Sequence, residues 1–189
     1  MKKILYDDGF NSYLVEGATF IGDAGIPVLQ NMNNLQVPKE LIPFTKSRKN
    51  LDRRKFVHFY VHDDNFKCVF NHPEKYVELF KTYDGIISPD PTMFIDNSKC
   101  LLETSTYMNR ALAYAKKGIP VIPNVRWTNE KSYKFCFLGI PKRYIVSIST
   151  HGCCKSKQQK EDFKKGLSKM LEVLEPTDVI VHGYMPRSI

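Results

Sequence analysis

Apolar positions along the chain switch between two periods. "KFVHFYVH" at 55–62 alternates, with Val57, Phe59 and Val61 on one face and His58, Tyr60 and His62 on the other, which is the period of a strand. "HPEKYVELFKTY" then turns helical: Pro73 suits the first helical position, and Tyr76, Phe80 and Tyr83 share a face. "GIISPD" at 85–90 predicts a short strand ending in polar residues. A long helix follows, capped by Asn97 or Ser98, with Leu101, Leu102, Met108, Leu112 and Ala115 at helical spacing and Gly118 as its stop. "IPVIPNV" reads as a strand, "NEKSYKFCFLG" as a shorter helix, and "RYIVSIST" at 143–150 as another strand. The next helix opens on a capping-box pattern, Ser156 with Gln159, and buries Phe163, Leu167, Met170, Leu171 and Leu174. "DVIVHGY" is the last strand.

Strands alternating with helices across short links predict right-handed crossovers and a mainly parallel α/β sheet. Counting "IPVLQ" at 26–30 as the first strand, there are about six strands in β/α repeats. No linker divides residues 1–189, so one α/β domain is expected, with an irregular basic loop at about 31–54. In parallel α/β folds, ligands sit beyond the carboxyl ends of the strands. All the predicted strands end in polar groups: Gln30 and Asn31; His62, Asp63 and Asp64; Ser88 and Asp90; Asn124, Arg126 and Trp127; Thr150 and His151; His182 and Tyr184. An open doubly wound sheet needs such ends only near its switch point, so the pattern favours an incomplete barrel resembling a TIM barrel. The open sheet is the alternative. "GIPV" occurs at 25–28 and again at 118–121, each time leading into polar residues, and marks two structurally equivalent strand entries.

Composition narrows the class. The chain has 189 residues, of which 42% are hydrophobic, enough for one domain with a proper core. Five cysteines without a CxxC pair suit a reducing, cytoplasmic setting rather than a disulfide framework. "MKKIL" meets Asp7 and Asp8 before any leader-like apolar run forms, and no stretch reaches a membrane span of about 18 apolar residues, so no membrane partner is expected. The net charge of +8 is concentrated in "TKSRKNLDRRK" at 45–55 and "KSKQQKEDFKKGLSK" at 155–169. Such stretches are solvated faces or polyanion contacts, and Arg48, Arg53 and Arg54 are the candidates for touching nucleic acid.

Two sites with different chemistry compete. "STHGCCKSKQQ" runs from a strand end through Gly152 into a capped helix. A helix N-terminus carries free N–H groups and about half a positive charge, and a glycine lets an anion come close. With Asn124, Arg126, Trp127, Thr150, His151 and Lys155, this loop would bind a phosphate-bearing ligand, a nucleotide-type molecule or nucleic acid. The plain alternative is a well-capped helix whose lysines face water. Asp63, Asp64 and Asp90 at successive strand ends could instead converge on Mg²⁺ or Mn²⁺ for a metal-dependent phosphoesterase or nuclease. Against this, "HDDN" and "PDPT" are ordinary turn sequences. His58 and His62 stand roughly 13 Å apart along one strand and cannot share a metal. Trp127, the single tryptophan, can stack on a base or cover the rim of the core. Whether the chain is an enzyme, and in which oligomeric state it works, the residues leave open.

"VHFYVHDDNF", "YDGIISPD", "NRALAYAKKGIPVIPNVRW", "KFCFLGIPKR", "STHGC" and "FKKGL" occur in that order over roughly residues 25 to 183. Together they resemble a domain-of-unknown-function family of Firmicutes and of their phages and mobile elements. The resemblance implies a mobile-element setting, such as a phage protein that sequesters a nucleotide signal, and carries no catalytic role to any position.

Overall fold

A computed structural model of the chain describes residues 11–32, 35–185 and 189. β3 (Leu41–Pro43), β4 (Phe56–His58), β5 (Gly85–Ile87) and β6 (Val121–Ile122) form a four-stranded parallel sheet in that order. β7 (Ile145–Ser149) and β8 (Asp178–His182) form a second parallel pair in register over their full length. An isolated parallel bridge between Asn124 and Ser147 joins the two, where Val125 N–H donates to Ser147 O at 2.7 Å and Ser147 N–H to Pro123 O at 2.9 Å. Helices α1 (Phe44–Ser47), α2 (Lys67–Asn71), α3 (Val77–Lys81), α4 (Asn97–Ala115), α5 (Tyr133–Cys136) and α6 (Lys157–Leu174) fill the connections.

The first expected strand is the main departure. Ile26–Pro27 (β2) pairs antiparallel with Phe20–Ile21 (β1) in a hairpin, outside the parallel sheet. Gly22 and Gly25 hold positive φ in its turn, a conformation that reverses the chain cheaply only with glycine. Ile26 and Leu29 are still fully buried, so their apolar run reflects packing against α4 rather than a place in the parallel ladder. The sheet begins instead with β3, inside the stretch expected to be an irregular loop. Lys55 ties that strand to the next through a 2.6 Å ion pair with Glu40, and Phe56 N–H donates to Glu40 O at 3.0 Å.

Strands β4 to β7 are buried on both faces, as covered parallel strands require, whereas β8 stays partly exposed. Val57, Ile86 and Val121 join the core under α2, α3 and α4, while Phe56, Ile87 and Ile122 pack on the opposite side with Ile145, Leu41 and Ile180. That second cluster draws one residue from each of β3 to β8. Gly85 is where the strands come closest: a β-carbon there would lie 2.4 Å from the Phe56 ring and 2.7 Å from Pro120 O. α4 presents Tyr107, Met108, Ala111, Leu112 and Tyr114 to the interior and is capped by Asp96, whose side chain accepts from Lys99 N–H at 2.9 Å. α6 carries the expected capping box, Ser156 with Gln159, and buries Phe163, Met170 and Leu174. Among the described residues no helix is long and apolar enough to cross a membrane.

Candidate functional site

Polar groups beyond the carboxyl ends of β4, β5 and β6 join the middle of β7 in one hydrogen-bonded chain. It starts at Ser147, whose Oγ lies 3.2 Å from Ile180 O and donates to the Tyr60 hydroxyl at 2.6 Å. Tyr60 donates to Asn124 Oδ1 at 3.0 Å, and Asn124 Nδ2 donates to Asp90 Oδ1 at 2.7 Å. The same carboxylate oxygen pairs with the Arg126 guanidinium. Asn124 is fully buried, and its backbone N–H donates to Ser88 Oγ at 2.8 Å. A buried amide in water-free surroundings must find partners for both ends of its side chain, and here it does.

Beside this chain three aromatic rings cluster, two of them stacked. His182 lies over Tyr60 with centroids 4.3 Å apart and planes 15° apart, and His58 sits 5.4 Å from His182. Burial, helped by the neighbouring His182, pushes the His58 imidazole down to about 4. His182 is lowered too, first by burial and then by His151. Burial holds the Tyr60 phenol well above its ordinary value. The rings are therefore neutral near pH 7, and Ser149 Oγ is 3.4 Å from His182 Nδ1.

Two cavities open onto this rim, and Arg126 and Ser149 line both. One, about 320 Å³, is polar and also touches Tyr60, Asp63, Asp90 and His151. The other, about 380 Å³, is bounded by Val125, Trp127 and Phe163, with Asn129, Gln159 and Asp162 among its polar groups. Asp63, Asp90, Arg126 and His151 thus share one end of the sheet, the end expected from the strand pattern.

The remaining expected site residues are placed as follows. Thr150 is buried, and its Oγ1 donates to His182 O at 3.3 Å. Gly152 adopts φ +79° and borders the second cavity. Lys155 is exposed, with its backbone N–H on Gln159 Oε1 at 3.0 Å. That glutamine also takes the Ser156 N–H, and Ser156 takes the Gln159 N–H, so the capping box itself occupies donors that an anion would otherwise meet. Trp127 leans on α6: a β-carbon on Gly166 would come within 2.0 Å of its indole nitrogen, and Phe163 lies 5.2 Å away.

The three aspartates do not gather. Asp90 is engaged by Asn124 and Arg126, Asp63 Oδ2 accepts from Thr92 N–H at 3.1 Å, and Asp64 is exposed, 3.4 Å from the His62 ring. Among the described residues no group of three or more His, Cys, Asp or Glu side chains is arranged to hold a metal ion. Asp63 thus fastens the loop after β5, and Asp64 meets the ring of its neighbour His62.

The basic cluster lies at the opposite end of the sheet, just before β4. Arg48 donates to the Tyr76 hydroxyl at 2.8 Å. Arg53 donates to Ser47 O at 2.8 Å and covers the Tyr83 ring at 4.7 Å. These two guanidiniums secure α1 and the chain entering β4. Arg54, with its side chain 90% exposed, is the freer group, 3.5 Å from Asp52.

Sequence reasoning passed over Tyr60, Ser147 and Ser149 as site residues. The signal was in the alternation: "IVSIS" places two serines on one face of a fully buried strand, and Tyr60 repeats on the face of His58.

The chain matches the model of the family "Domain of unknown function (DUF4417)" over residues 18–189. It is 25% identical over 158 residues to the "Gene 1 protein" of Mycobacterium phage L5, a match covering 78% of this chain and 69% of that protein. It is 27% identical over 129 residues to the "Gene 1 protein" of Mycobacterium phage D29, covering 67% of this chain and 48% of that one. No solved structure matches. With nearly its whole length spanned by the family model, the chain belongs to the DUF4417 domain-of-unknown-function family.

Proposed function

We propose that the chain binds a phosphate-bearing, nucleotide-type ligand at the strand ends, as a phage or mobile-element protein that sequesters a nucleotide signal. The observation that carries this reading is Arg126, whose guanidinium is a wall common to both cavities. The polar cavity, with His151 at its edge, suits a phosphate. The other, with Trp127 and Phe163, suits a flat ring. Asp90 holds Arg126 in place through one nitrogen, Nη1, and a guanidinium has further donors to turn to a ligand. The six parallel strands are read as an incomplete barrel resembling a TIM barrel. Support comes from the cluster with one residue from each strand and from the contact between the end of β4 and β8 through Tyr60 and His182. A cleft in that place is where such a fold keeps its ligands.

The phosphoesterase or nuclease reading has less support, because Asp90 is already paired and Asp64 lines neither cavity. Nucleic acid is weaker as a ligand than a nucleotide, since Arg48 and Arg53 are engaged with tyrosines far from the cleft.

The test is titration of the full chain with nucleoside 5′-phosphates, read by Trp127 fluorescence and by calorimetry. Saturable binding is expected, and Arg126→Gln should weaken it at least tenfold, with Arg126→Lys between the two. Thermal midpoints of both variants show whether they fold. Absence of saturable binding at millimolar ligand, or wild-type affinity in folded Arg126→Gln, overturns the proposal.

A further inference from the structure

The second cavity is more selective than a generic slot for a ring. Its apolar wall, Val125, Trp127 and Phe163, would take the faces of a planar base. Its polar groups differ in kind. Asn129 Oδ1 accepts from Lys131 N–H at 3.0 Å, and Gln159 Oε1 accepts from Lys155 and Ser156 N–H, each at 3.0 Å. Both amides use their oxygens on helix caps, so what they bring to a ligand is their NH₂ donors. Asp162 is the opposite. Its Oδ1 accepts from Gln158 Nε2 at 3.0 Å, and Oδ2 remains as an acceptor at the cavity.

We infer that this cavity is a guanine pocket and that Asp162 determines its specificity. The inference rests on the nucleotide reading above and goes beyond it by naming the base. Guanine is the common base that presents two adjacent donors, N1–H and the exocyclic N2 amino group, which a carboxylate accepts together. Its O6 and N7 are acceptors and face the amide donors of Asn129 and Gln159. Adenine puts the N1 lone pair against the carboxylate. Uracil offers one N–H between two carbonyl oxygens, and cytosine one amino group beside an acceptor. Each of these leaves the Asp162 carboxylate facing a like partner, and a polar site rejects a ligand that leaves its groups unpaired far better than an apolar one does. Arg126, at the junction of the two cavities, then sits on the phosphate side of the bound nucleoside.

The experiment compares GMP, IMP and AMP, with ribose 5-phosphate as the probe lacking a base, on the full chain and on Asp162→Asn. Asp162 is half-buried at the edge of the cavity, and its replacement by the isosteric Asn leaves the capping box and the buried stripe of α6 untouched. GMP is expected to bind at least tenfold more tightly than AMP, with IMP between them because it lacks the N2 amino group. Asp162→Asn should shrink the GMP-to-AMP ratio to within about threefold while affinity for ribose 5-phosphate stays unchanged. Equal affinity for GMP and AMP in the wild type overturns the guanine assignment and leaves the nucleotide reading standing. So does a GMP preference that survives Asp162→Asn as far as the role of that residue is concerned. If neither the nucleotides nor ribose 5-phosphate bind, both readings fall together.

Discussion

The His58 imidazole should make folding stability fall in mild acid, by an amount that the structure fixes. Its ring is 8% exposed, accepts a 3.3 Å hydrogen bond from Tyr60 N–H at Nδ1, and has the His182 ring beside it. In the folded chain it protonates at about 4, against 6.5 for an ordinary histidine. Above pH 6.5 both folded and unfolded chains hold the ring neutral, and His58 puts no pH dependence on stability. Below that, the unfolded chain takes up a proton that the folded chain refuses. Stability therefore drops by up to about 1.4 kcal/mol per pH unit, and the loss levels off below pH 4 at roughly 3 kcal/mol. His182, lowered for the same reason, adds in the same direction. The assay is urea denaturation of wild type and His58→Phe between pH 7.5 and 4. The variant loses the bond from Tyr60 N–H and should start about 1 kcal/mol lower at pH 7.5. Carboxylates titrate alike in both proteins, so the difference between the two curves isolates His58. That difference should close as pH falls and reverse before pH 4. Curves that stay parallel across the whole range would refute the idea that the stacked rings are held neutral by burial.

Other outcomes follow from close contacts. Gly166→Ala drives a β-carbon into the Trp127 indole and should cost about 1–3 kcal/mol with a red shift of tryptophan emission; an unchanged spectrum and midpoint would place the indole elsewhere. Gly152→Ala meets open space but a φ of +79°, so it should cost about 1–2 kcal/mol through the backbone alone, seen as a lower thermal midpoint. Arg53→Ala should destabilise by about 1 kcal/mol or more, because it leaves Ser47 O with the Tyr83 hydroxyl as its remaining donor and uncovers the Tyr83 ring, whereas Arg54→Ala should stay within about 0.5 kcal/mol. A reversed order in thermal melts would remove the structural role given to Arg53.

Helices α3 to α6 and five of the parallel strands were legible because their apolar periods are strong: "KFVHFYVH", "GIISPD", "IPVIPNV", "RYIVSIST" and "DVIVHGY" each hold the strand expected of them. Ile26–Leu29 misled because a run buried by packing looks the same as a run buried in a ladder. β3 was hidden because three residues, the last of them Pro43, carry no measurable period. At the strand ends, Asp90, Asn124 and Arg126 could be named, but not their pairing. That pairing depends on Tyr60 and Ser147, which lie 87 residues apart in the chain and meet across the sheet. Arg48, Arg53 and Arg54 look like one basic patch in sequence. Only the packing of Tyr76 and Tyr83 divides them into two fastened groups and one free one.

The join between β6 and β7 has a mechanical consequence. Elsewhere the parallel strands are laced by ladders of two to five register pairs, but here a single bridge, Asn124 to Ser147, carries the contact. The side chains of those same two residues lie in the Tyr60–Asp90 network. The molecule is therefore stitched at its narrowest seam by two backbone bonds and the side chains beside them, and the ligand proposed above would lie against that seam at Arg126. Occupancy of the cleft and breathing between the two strand sets should then be one coordinate: whatever fills the cavities also clamps the halves together, and whatever loosens the halves lets it go.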